Sequence, residues 1–378
     1  MRMRAWLVAL LAFGLLAAAC APGAQPTGTT EAIVEETTGT TEAMVEETTG
    51  TTEAMVEGRE DWPERLVFGF VPSQEQEELQ DDIQPFIDAL SQGLGIEVEG
   101  FVTTDYTGLV TAMGTGQADL GAFGPFGYVL AKQQYPNLEV LLQSIRFGSP
   151  TYHGQWFTND PGICEGEPQP GAFENEGGQP VLKAPTEVVA LQVGYTFEEG
   201  EIVRQEGVSE GLACEADISA VEGKTVAFTS ESSTSGYLFP ALQLTSAGLD
   251  PQEDVEPIFT GGHDGAVTAV YNGDADIGVS FDDARGTISE ENPDVGEQVI
   301  VFTITDEIPN DVVAVRSELP QSLKDAVVQA ISDYLETDEG KEIFDEIYDW
   351  TDVQPASESD FDIVREAAET LGITEPID

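Results

Sequence analysis

The chain has 378 residues, with 71 acidic and 14 basic side chains, and its formal net charge is −57. The basic residues are scattered, which excludes a basic stripe for nucleic acid and a basic patch for anionic lipid. The length favours two lobes or domains, and a hydrophobic fraction of 40% suffices for a folded core. With only two histidines and three cysteines, the sequence has no zinc-ligand spacing and no local Cys–His pair.

The first twenty residues have the pattern of an export signal. Two arginines precede an apolar run from Ala5 to Ala19, which is shorter than the about 20 residues needed to span a bilayer. The run ends in three alanines and Cys20, which resembles a bacterial lipobox, although Leu16 lies one position earlier than the usual leucine. We expect a lipoprotein signal peptide over residues 1–20 with lipidation of Cys20. The alternative is ordinary cleavage after the small residues.

Residues 21–60 are predicted to form a disordered, acidic tether. From residue 28 an eleven-residue unit repeats as GTTEAIVEETT, GTTEAMVEETT and GTTEAMVEGRE. Each copy has too few apolar residues for the continuous apolar face that a repeat domain needs. A flexible tether of about 40 residues has an r.m.s. reach of roughly 35 Å, and like charges extend it.

From residue 65 short apolar runs alternate with helical periods. The predicted strands are RLVFGFVP, IEVEGFVTT, ADLGAF, LEVLLQSI, KTVAFTS, VEPIFT and ADIGVSF, and two long helices, LPQSLKDAVVQAISDYLETDEGKEIFDEIYD and SDFDIVREAAETLG, close the chain. This order predicts an α/β body of two lobes, each a mostly parallel sheet flanked by helices, with the ligand in a cleft at the strand carboxyl ends. We assign 61–155 and 305–378 to lobe 1 and 156–304 to lobe 2, with hinges near 150–158 and 303–315.

An insertion at 160–216, rich in Gly, Pro and Glu, interrupts this alternation. Cys164 and Cys214 flank it, and no further cysteine remains if Cys20 is lipidated. In an exported protein such a pair predicts a disulfide. The alternative, a reactive or metal-binding thiol pair, has no supporting ligands nearby.

Three polar segments stand where strands end. The first, Ser232 to Gly236, precedes a helix from about Gly236, and free backbone N–H groups with adjacent hydroxyls can form an anion site there. In the second, His263 follows two glycines and opens a helix with Asp264 available as its cap; its imidazole can donate to an oxyanion, and protonation would strengthen that contact. The third is the IPND turn before an apolar strand. Each has an ordinary structural alternative, such as helix capping.

Together these segments resemble the phosphonate/phosphite-binding proteins of ABC importers, which have a type II periplasmic-binding-protein fold. The resemblance runs from about Leu66 to Phe344 and rests on DYTGLVTAM, ADLGAFGPFGYVLA, STSGY, GGHDGAVTAVYNGDADIGV and IPND in this order. It implies that Ser233, Thr234 and Ser235 hold an oxyanion through hydroxyl and backbone donors. The histidine of the family corresponds to His263.

The resemblance also implies further ligand-binding residues. The tyrosine of the DY segment corresponds to Tyr106 and that of the aromatic strand to Tyr152. The acid after the strand of the second lobe would be Asp283, with Asp282 as the rival, and the IPND acid would be Asp311. An acid near the cleft could hold the ammonium group of an aminoalkylphosphonate or accept a proton from a hydrogen-bearing oxyanion.

The resulting hypothesis is a lipid-tethered, monomeric solute receptor outside the cytoplasmic membrane. It would capture a phosphonate or phosphite and deliver it to an ABC permease, without a cofactor, a metal or enzymatic activity. Three alternatives stay open: a receptor of the same fold for phosphate or another oxyanion, an exported hydrolase using Ser233 or Ser235 with His263, and a protein that binds partners through its acidic surface. The acidity itself is explained equally well by a salt-rich habitat and by solubility.

Overall fold

The computed structural model describes residues 59–198 and 201–373. The predicted signal peptide, Cys20 and nearly all of the predicted tether lie outside the described residues. The strands, in chain order, are β1 Arg65–Phe70, β2 Glu97–Val102, β3 Leu120–Phe123, β4 Leu138–Ile145, β5 Thr151–Thr158, β6 Gln169–Pro170, β7 Ala172–Asn175, β8 Pro180–Lys183, β9 Tyr195–Glu198, β10 Glu201–Arg204, β11 Leu212–Ala213, β12 Thr225–Phe228, β13 Glu256–Phe259, β14 Ile277–Phe281, β15 Ile300–Pro309, β16 Val312–Arg316 and β17 Asp352–Pro355.

In the described residues, α-helices follow eight of the seventeen strands. They are α1 Gln76–Asp82, α2 Gln84–Leu94, α3 Tyr106–Thr115, α4 Pro125–Gln134, α5 Phe239–Ser246, α6 His263–Asn272, α7 Val295–Gln298, α8 Gln321–Leu335, α9 Asp338–Tyr348 and α10 Asp362–Leu371. A single turn of π-helix, Thr234–Leu238, leads directly into α5. The predicted alternation of strands and helices is therefore confirmed for the described body.

Two mixed sheets form the body. The first has the strand order β17-β4-β16-β3-β1-β2, and the second has the order β13-β12-β14-β5-β15-β11-β6. Strand β1 pairs in parallel with β2 and β3, and β12 pairs in parallel with β13 and β14. Strands β16 and β5 run antiparallel to both of their neighbours. The predicted two-lobed α/β architecture is thus confirmed, but the prediction of mostly parallel sheets is wrong. Six of the eleven strand pairs in the two sheets are antiparallel, four of them because β5 and β16, which each enter one sheet from the other, run against both of their neighbours.

The chain passes between the two sheets at short connections. Residues 146–150 join β4 of the first sheet to β5 of the second, and residues 310–311 join β15 of the second sheet to β16 of the first. The predicted hinge at 303–315 includes the second crossing, whereas the predicted hinge at 150–158 shares only Pro150 with the first crossing and otherwise coincides with β5. An apolar cluster adjoins these crossings and contains residues from both sides, among them Phe126, Tyr152, Leu238 and Val364.

The C-terminal region differs from the prediction of two long helices. The first of these helices is broken into α8 and α9, and β17 follows α9. Thr337 separates α8 from α9. Its side chain accepts a hydrogen bond from the backbone N–H of Gly340 at 2.9 Å and so caps the N-terminus of α9. A Cβ at position 340 would lie 1.9 Å from the carbonyl oxygen of Tyr334, so only glycine permits this approach.

The insertion forms small antiparallel elements attached to the second sheet. Strands β7 and β8 pair with one another, as do β9 and β10, while β11 pairs in parallel with β15. Cys164 and Cys214 form a disulfide with a Cα–Cα distance of 5.6 Å, which confirms the predicted pairing.

Candidate functional site

The site lies where parallel strands end and helices begin. Helix α3 follows β2, α4 follows β3, and in the second sheet the helical segment from Thr234 follows β12 and α6 follows β13. The first backbone N–H groups of a helix have no intrahelical acceptor, and the helix dipole makes that end partly positive. Helix starts from both sheets therefore provide anion-binding groups in one region.

These helix starts border a cavity of about 210 Å³. This is below the roughly 300–1,000 Å³ of pockets for drug-sized ligands, so the cavity suits a small solute. The structure brings all eight predicted ligand-binding residues into its lining: Tyr106, Tyr152, Ser233, Thr234, Ser235, His263, Asp283 and Asp311.

The Ser-Thr-Ser segment begins the helix that follows β12. Ser233 is the N-cap, and its hydroxyl accepts a hydrogen bond from the backbone N–H of Gly236 at 3.1 Å. A Cβ at Gly236 would lie 1.9 Å from Oγ1 of Thr229, so glycine permits the helix start to approach the end of β12. Helical structure therefore begins at Thr234, two residues before the predicted start.

Thr234 also contacts the opposite side of the cavity. Its Oγ1 accepts a hydrogen bond from the backbone N–H of Phe126, in the first turn of α4, at 2.9 Å. A hydroxyl that accepts one hydrogen bond retains its own proton for donation. Thr234 can therefore join the two sides of the cavity and donate to an anion at the same time.

His263 is the first residue of α6 and is buried. Its Nδ1 lies 2.7 Å from Oγ of Ser280, and if the serine donates, Nε2 carries the imidazole proton. Burial and the nearby positive charge of Arg146 lower the pKa of His263 to about 3, so the ring is neutral at ordinary pH. The imidazole can therefore donate to an oxyanion only as a neutral ring, without the strengthening that protonation would give. The N-cap is Gly262 and makes no side-chain cap, so the prediction that Asp264 caps this helix is wrong.

The two predicted tyrosines are buried donors. Burial raises the pKa of Tyr106 and of Tyr152 well above the usual range, so both phenols keep their protons. The hydroxyl of Tyr106 has no hydrogen-bond partner within the part of the chain that the structure describes. An unpaired buried hydroxyl is costly, so this group is suited to an acceptor supplied from outside.

Asp311 lies on the crossing between β15 and β16. Nε1 of Trp350 donates to its Oδ2 at 3.2 Å. Burial raises the pKa of Asp311 to about 6, although Arg146 and Trp350 act in the opposite direction. Asp311 is therefore poised to exchange a proton near neutral pH, either with the solvent or with a bound ligand.

The two candidate acids after β14 differ in environment. Asp283 lines the cavity, but its carboxylate forms a fully buried ion pair with Arg285, with Nη2 to Oδ2 at 2.7 Å. It also accepts the backbone N–H of Val193 at 3.1 Å. Asp282 lines an adjoining space, where its Oδ2 lies 3.2 Å from Nδ1 of His153. Asp283 is therefore the acid that lines the cavity, but its oxygens are largely occupied by protein donors.

Arg146 is a cavity residue that the sequence did not suggest. It follows β4, is 6% exposed, and places Nη2 2.7 Å from Oδ2 of Asp349 at the end of α9. Its guanidinium carbon lies 5.5 Å from the ring centre of Tyr152 and 4.8 Å from that of Phe281. No motif marks the segment RFGS, so only the tertiary packing of the C-terminal helix against it places Arg146 in the site.

Metal sites and membrane-spanning helices each have structural requirements of their own. Over residues 59–198 and 201–373, no group of three or more His, Cys, Asp or Glu side chains is arranged to hold a metal ion. The helices of these same residues include none with both the length and the apolar character required to cross a bilayer.

Comparisons with known proteins indicate the family of this chain. The model of the family described as "ABC transporter, phosphonate, periplasmic substrate-binding protein" matches residues 68–361. The phosphate-import protein PhnD of Mycolicibacterium smegmatis is 29% identical over 59% of this chain and 57% of its own length. The phosphonates-binding periplasmic protein of Escherichia coli K12 is 20% identical over 82% of this chain and 77% of its own length.

A solved structure shows the same fold. PhnD1 from Prochlorococcus marinus, in complex with methylphosphonate, matches with a TM-score of 0.63 at 20% identity. The match covers 82% of this chain and 99% of that chain. The chain spans little more than half the length of the M. smegmatis protein.

Proposed function

Because the chain belongs to the family of phosphonate-binding periplasmic substrate-binding proteins of ABC transporters, we propose that it captures a phosphonate or phosphite outside the cytoplasm and delivers it to a membrane permease. The family comprises substrate-binding proteins of transporters, which supports the prediction that the chain is not an enzyme. The observation that carries the proposal is the convergence of neutral hydrogen-bond donors from both sheets on one small cavity.

We propose that these donors hold the three oxygens of the ligand. The backbone N–H groups at Thr234 and Ser235 and the hydroxyls of the Ser-Thr-Ser segment would bind from the second lobe. Tyr106 would donate its unpaired hydroxyl from the first lobe, and His263 would donate through Nε2. Hydrogen bonds to a charged acceptor contribute roughly 1.5–3 kcal/mol each, so a few of them suffice to retain a small anion without a lysine.

Asp311 would distinguish ligands by their protons. With a pKa of about 6, it can accept a hydrogen bond from a P–OH group when ionised and donate one when protonated. The relative described as a phosphate-import protein makes phosphate the second candidate ligand. A hydrolase is not supported, because the Nδ1 partner of His263 is Ser280, where a triad needs an orienting carboxylate.

The remaining assignments concern location and motion. We propose that Cys20 is lipidated and that the acidic tether at 21–60 lets a monomeric receptor reach its permease. The lobes at 61–155 with 305–378 and at 156–304 would close by hinge motion at the crossings between the sheets.

A calorimetric titration tests the ligand class. The wild-type protein is titrated with phosphite, methylphosphonate, 2-aminoethylphosphonate, phosphate and sulfate. We expect a phosphorus oxyanion to bind at least 100-fold more tightly than sulfate. Tightest binding of phosphate would select the second candidate, while absence of binding to every phosphorus compound would refute the proposal.

A further inference from the structure

We propose that Arg146 binds a carboxylate on the substituent of the ligand, so that the preferred ligands are phosphonates with a carboxylate one or two carbons from phosphorus. This inference rests on the proposed function and names the substrate class of the same cavity. Three observations support it: the unused donors of Arg146, its distance from the oxyanion donors, and the space around it.

Arg146 has donor capacity that the protein does not use. Its Nη2 is bonded to Asp349, but among the described residues its buried Nε has no hydrogen-bond partner. A guanidinium offers five N–H donors in a planar fork that matches a carboxylate. A buried donor without an acceptor is unfavourable, so a ligand acceptor at this position would remove a cost already present in the fold.

The acids near Arg146 are each engaged by another donor. Asp282 is bonded to His153, Asp283 to Arg285, and Asp311 to Trp350. Asp349 alone takes a hydrogen bond from Arg146, and it does so through one terminal nitrogen. The other N–H donors of the Arg146 guanidinium are thus not hydrogen-bonded to these carboxylates.

The distance fits a short bifunctional ligand. The ring centre of Phe281 lies 4.8 Å from the guanidinium carbon of Arg146 and 4.9 Å from the ring centre of His263. Arg146 and the imidazole of His263 are therefore separated by less than about 10 Å. Because each hydrogen bond takes up about 3 Å, the two acceptor groups of the ligand can lie at most roughly 4 Å apart. A phosphonate and a carboxylate joined by one or two carbons meet this requirement.

The cavity does not end at Arg146. Arg146 also lines two adjoining spaces of about 170 and 250 Å³, one of them shared with Tyr152 and the other with Asp349. A ligand as small as phosphite would leave this side of the cavity unfilled. The positive charge of Arg146 acts on residues that line the cavity, because it lowers the pKa of both His263 and Asp311.

The wild-type protein provides the first test. Calorimetric titrations compare methylphosphonate, ethylphosphonate and phosphonoacetate, the last two differing in whether the substituent ends in a methyl group or a carboxylate. We expect phosphonoacetate to bind at least 10-fold more tightly than ethylphosphonate. Equal or weaker binding of phosphonoacetate, with methylphosphonate still bound, would overturn this inference and leave the proposed function intact. Absence of binding to all three compounds and to phosphite would instead refute the proposed function.

Variants assign the preference to Arg146. In Arg146→Gln, and in Arg146→Gln combined with Asp349→Asn to avoid an unpaired acid, the preference for phosphonoacetate over ethylphosphonate should fall to within 2-fold. Arg316→Gln is the matched control, because it breaks an Arg–Asp pair, with Asp119, that does not line the cavity. The inference would be overturned if both Arg146 variants kept the preference for phosphonoacetate, or if they lost affinity for all three phosphonates equally. Either result would show that Arg146 does not bind the carboxylate of the substituent.

Discussion

Replacing Thr234 with valine should weaken ligand binding far more than removing a hydroxyl from the protein surface would. The hydroxyl accepts the backbone N–H of Phe126 across the cavity at 2.9 Å, and Phe126 itself is fully buried. Valine keeps the shape of threonine but removes both the acceptor for that N–H and the donor for the oxyanion.

The magnitude follows from these two hydrogen bonds. An unsatisfied buried N–H costs about 1–3 kcal/mol, and a lost hydrogen bond to a charged acceptor costs about 1.5–3 kcal/mol. Because the two losses share one atom they are not additive, and about 2–4 kcal/mol is expected. This corresponds to roughly a 30- to 1,000-fold increase in Kd for methylphosphonate. Thr234→Ser retains the hydroxyl, so its Kd should stay within about 3-fold of the wild type.

Calorimetry of the two variants, with circular dichroism to confirm folding, measures this effect. Thr245→Val serves as the control, since its hydroxyl donates to the carbonyl of Ala241 on the exposed face of the same helix. An unchanged Kd in Thr234→Val, or an equal loss in Thr234→Ser, would refute the assignment of this hydroxyl to the ligand and to the contact between the lobes.

Three further predictions concern protons and the disulfide. His263→Ala should raise the Kd for methylphosphonate at least 10-fold, and in the wild type the imidazole should remain neutral down to about pH 4; an NMR titration with a midpoint near 6.5 would contradict its burial. The raised pKa of Asp311 favours folding below its unfolded value of about 3.9, and this contribution is lost as pH rises through about 6, so wild type should lose about 2 kcal/mol more between pH 4 and 7 than Asp311→Asn in urea unfolding. Equal pH slopes for the two proteins would exclude such a buried, shifted carboxyl. Cys164→Ser with Cys214→Ser should lower the free energy of unfolding by about 4 kcal/mol and leave the Kd for methylphosphonate within 3-fold, whereas free thiols in unreduced wild-type protein would show that the disulfide does not form.

The proximity of the residues predicted to bind the ligand could be anticipated from their local positions in the sequence. Thr234 and His263 both follow an apolar run and precede a helical period, which places them at strand carboxyl ends. In a sheet of parallel strands these ends lie along one edge, so local order predicts spatial proximity. The same reasoning located the turn that carries Asp311.

Arg146 could not be located in this way, because its position depends on contacts distant in sequence. Its partner Asp349 comes some 200 residues later, at the end of a helix whose true boundaries the periodicity missed. The pairing of Asp283 with Arg285 was also missed, although their separation of two residues is a local signal. Apolar periodicity identifies elements well, but it does not indicate which buried charges neutralise one another.

The disulfide has an evolutionary consequence. It holds the entry and exit of the insertion 5.6 Å apart, and the backbone N–H of Cys214 donates to the carbonyl of Val301 in the second sheet at 2.9 Å. With both ends fixed in this way, the parts of the segment outside β6 and β11 can change length or composition without altering the register of the second sheet, since doubling a loop costs only about 0.6 kcal/mol. Residues of this segment, including Gln192 and Tyr195, line a space beside Arg146. Natural variation can therefore remodel the surroundings of the ligand substituent while the donors to the oxyanion stay constant.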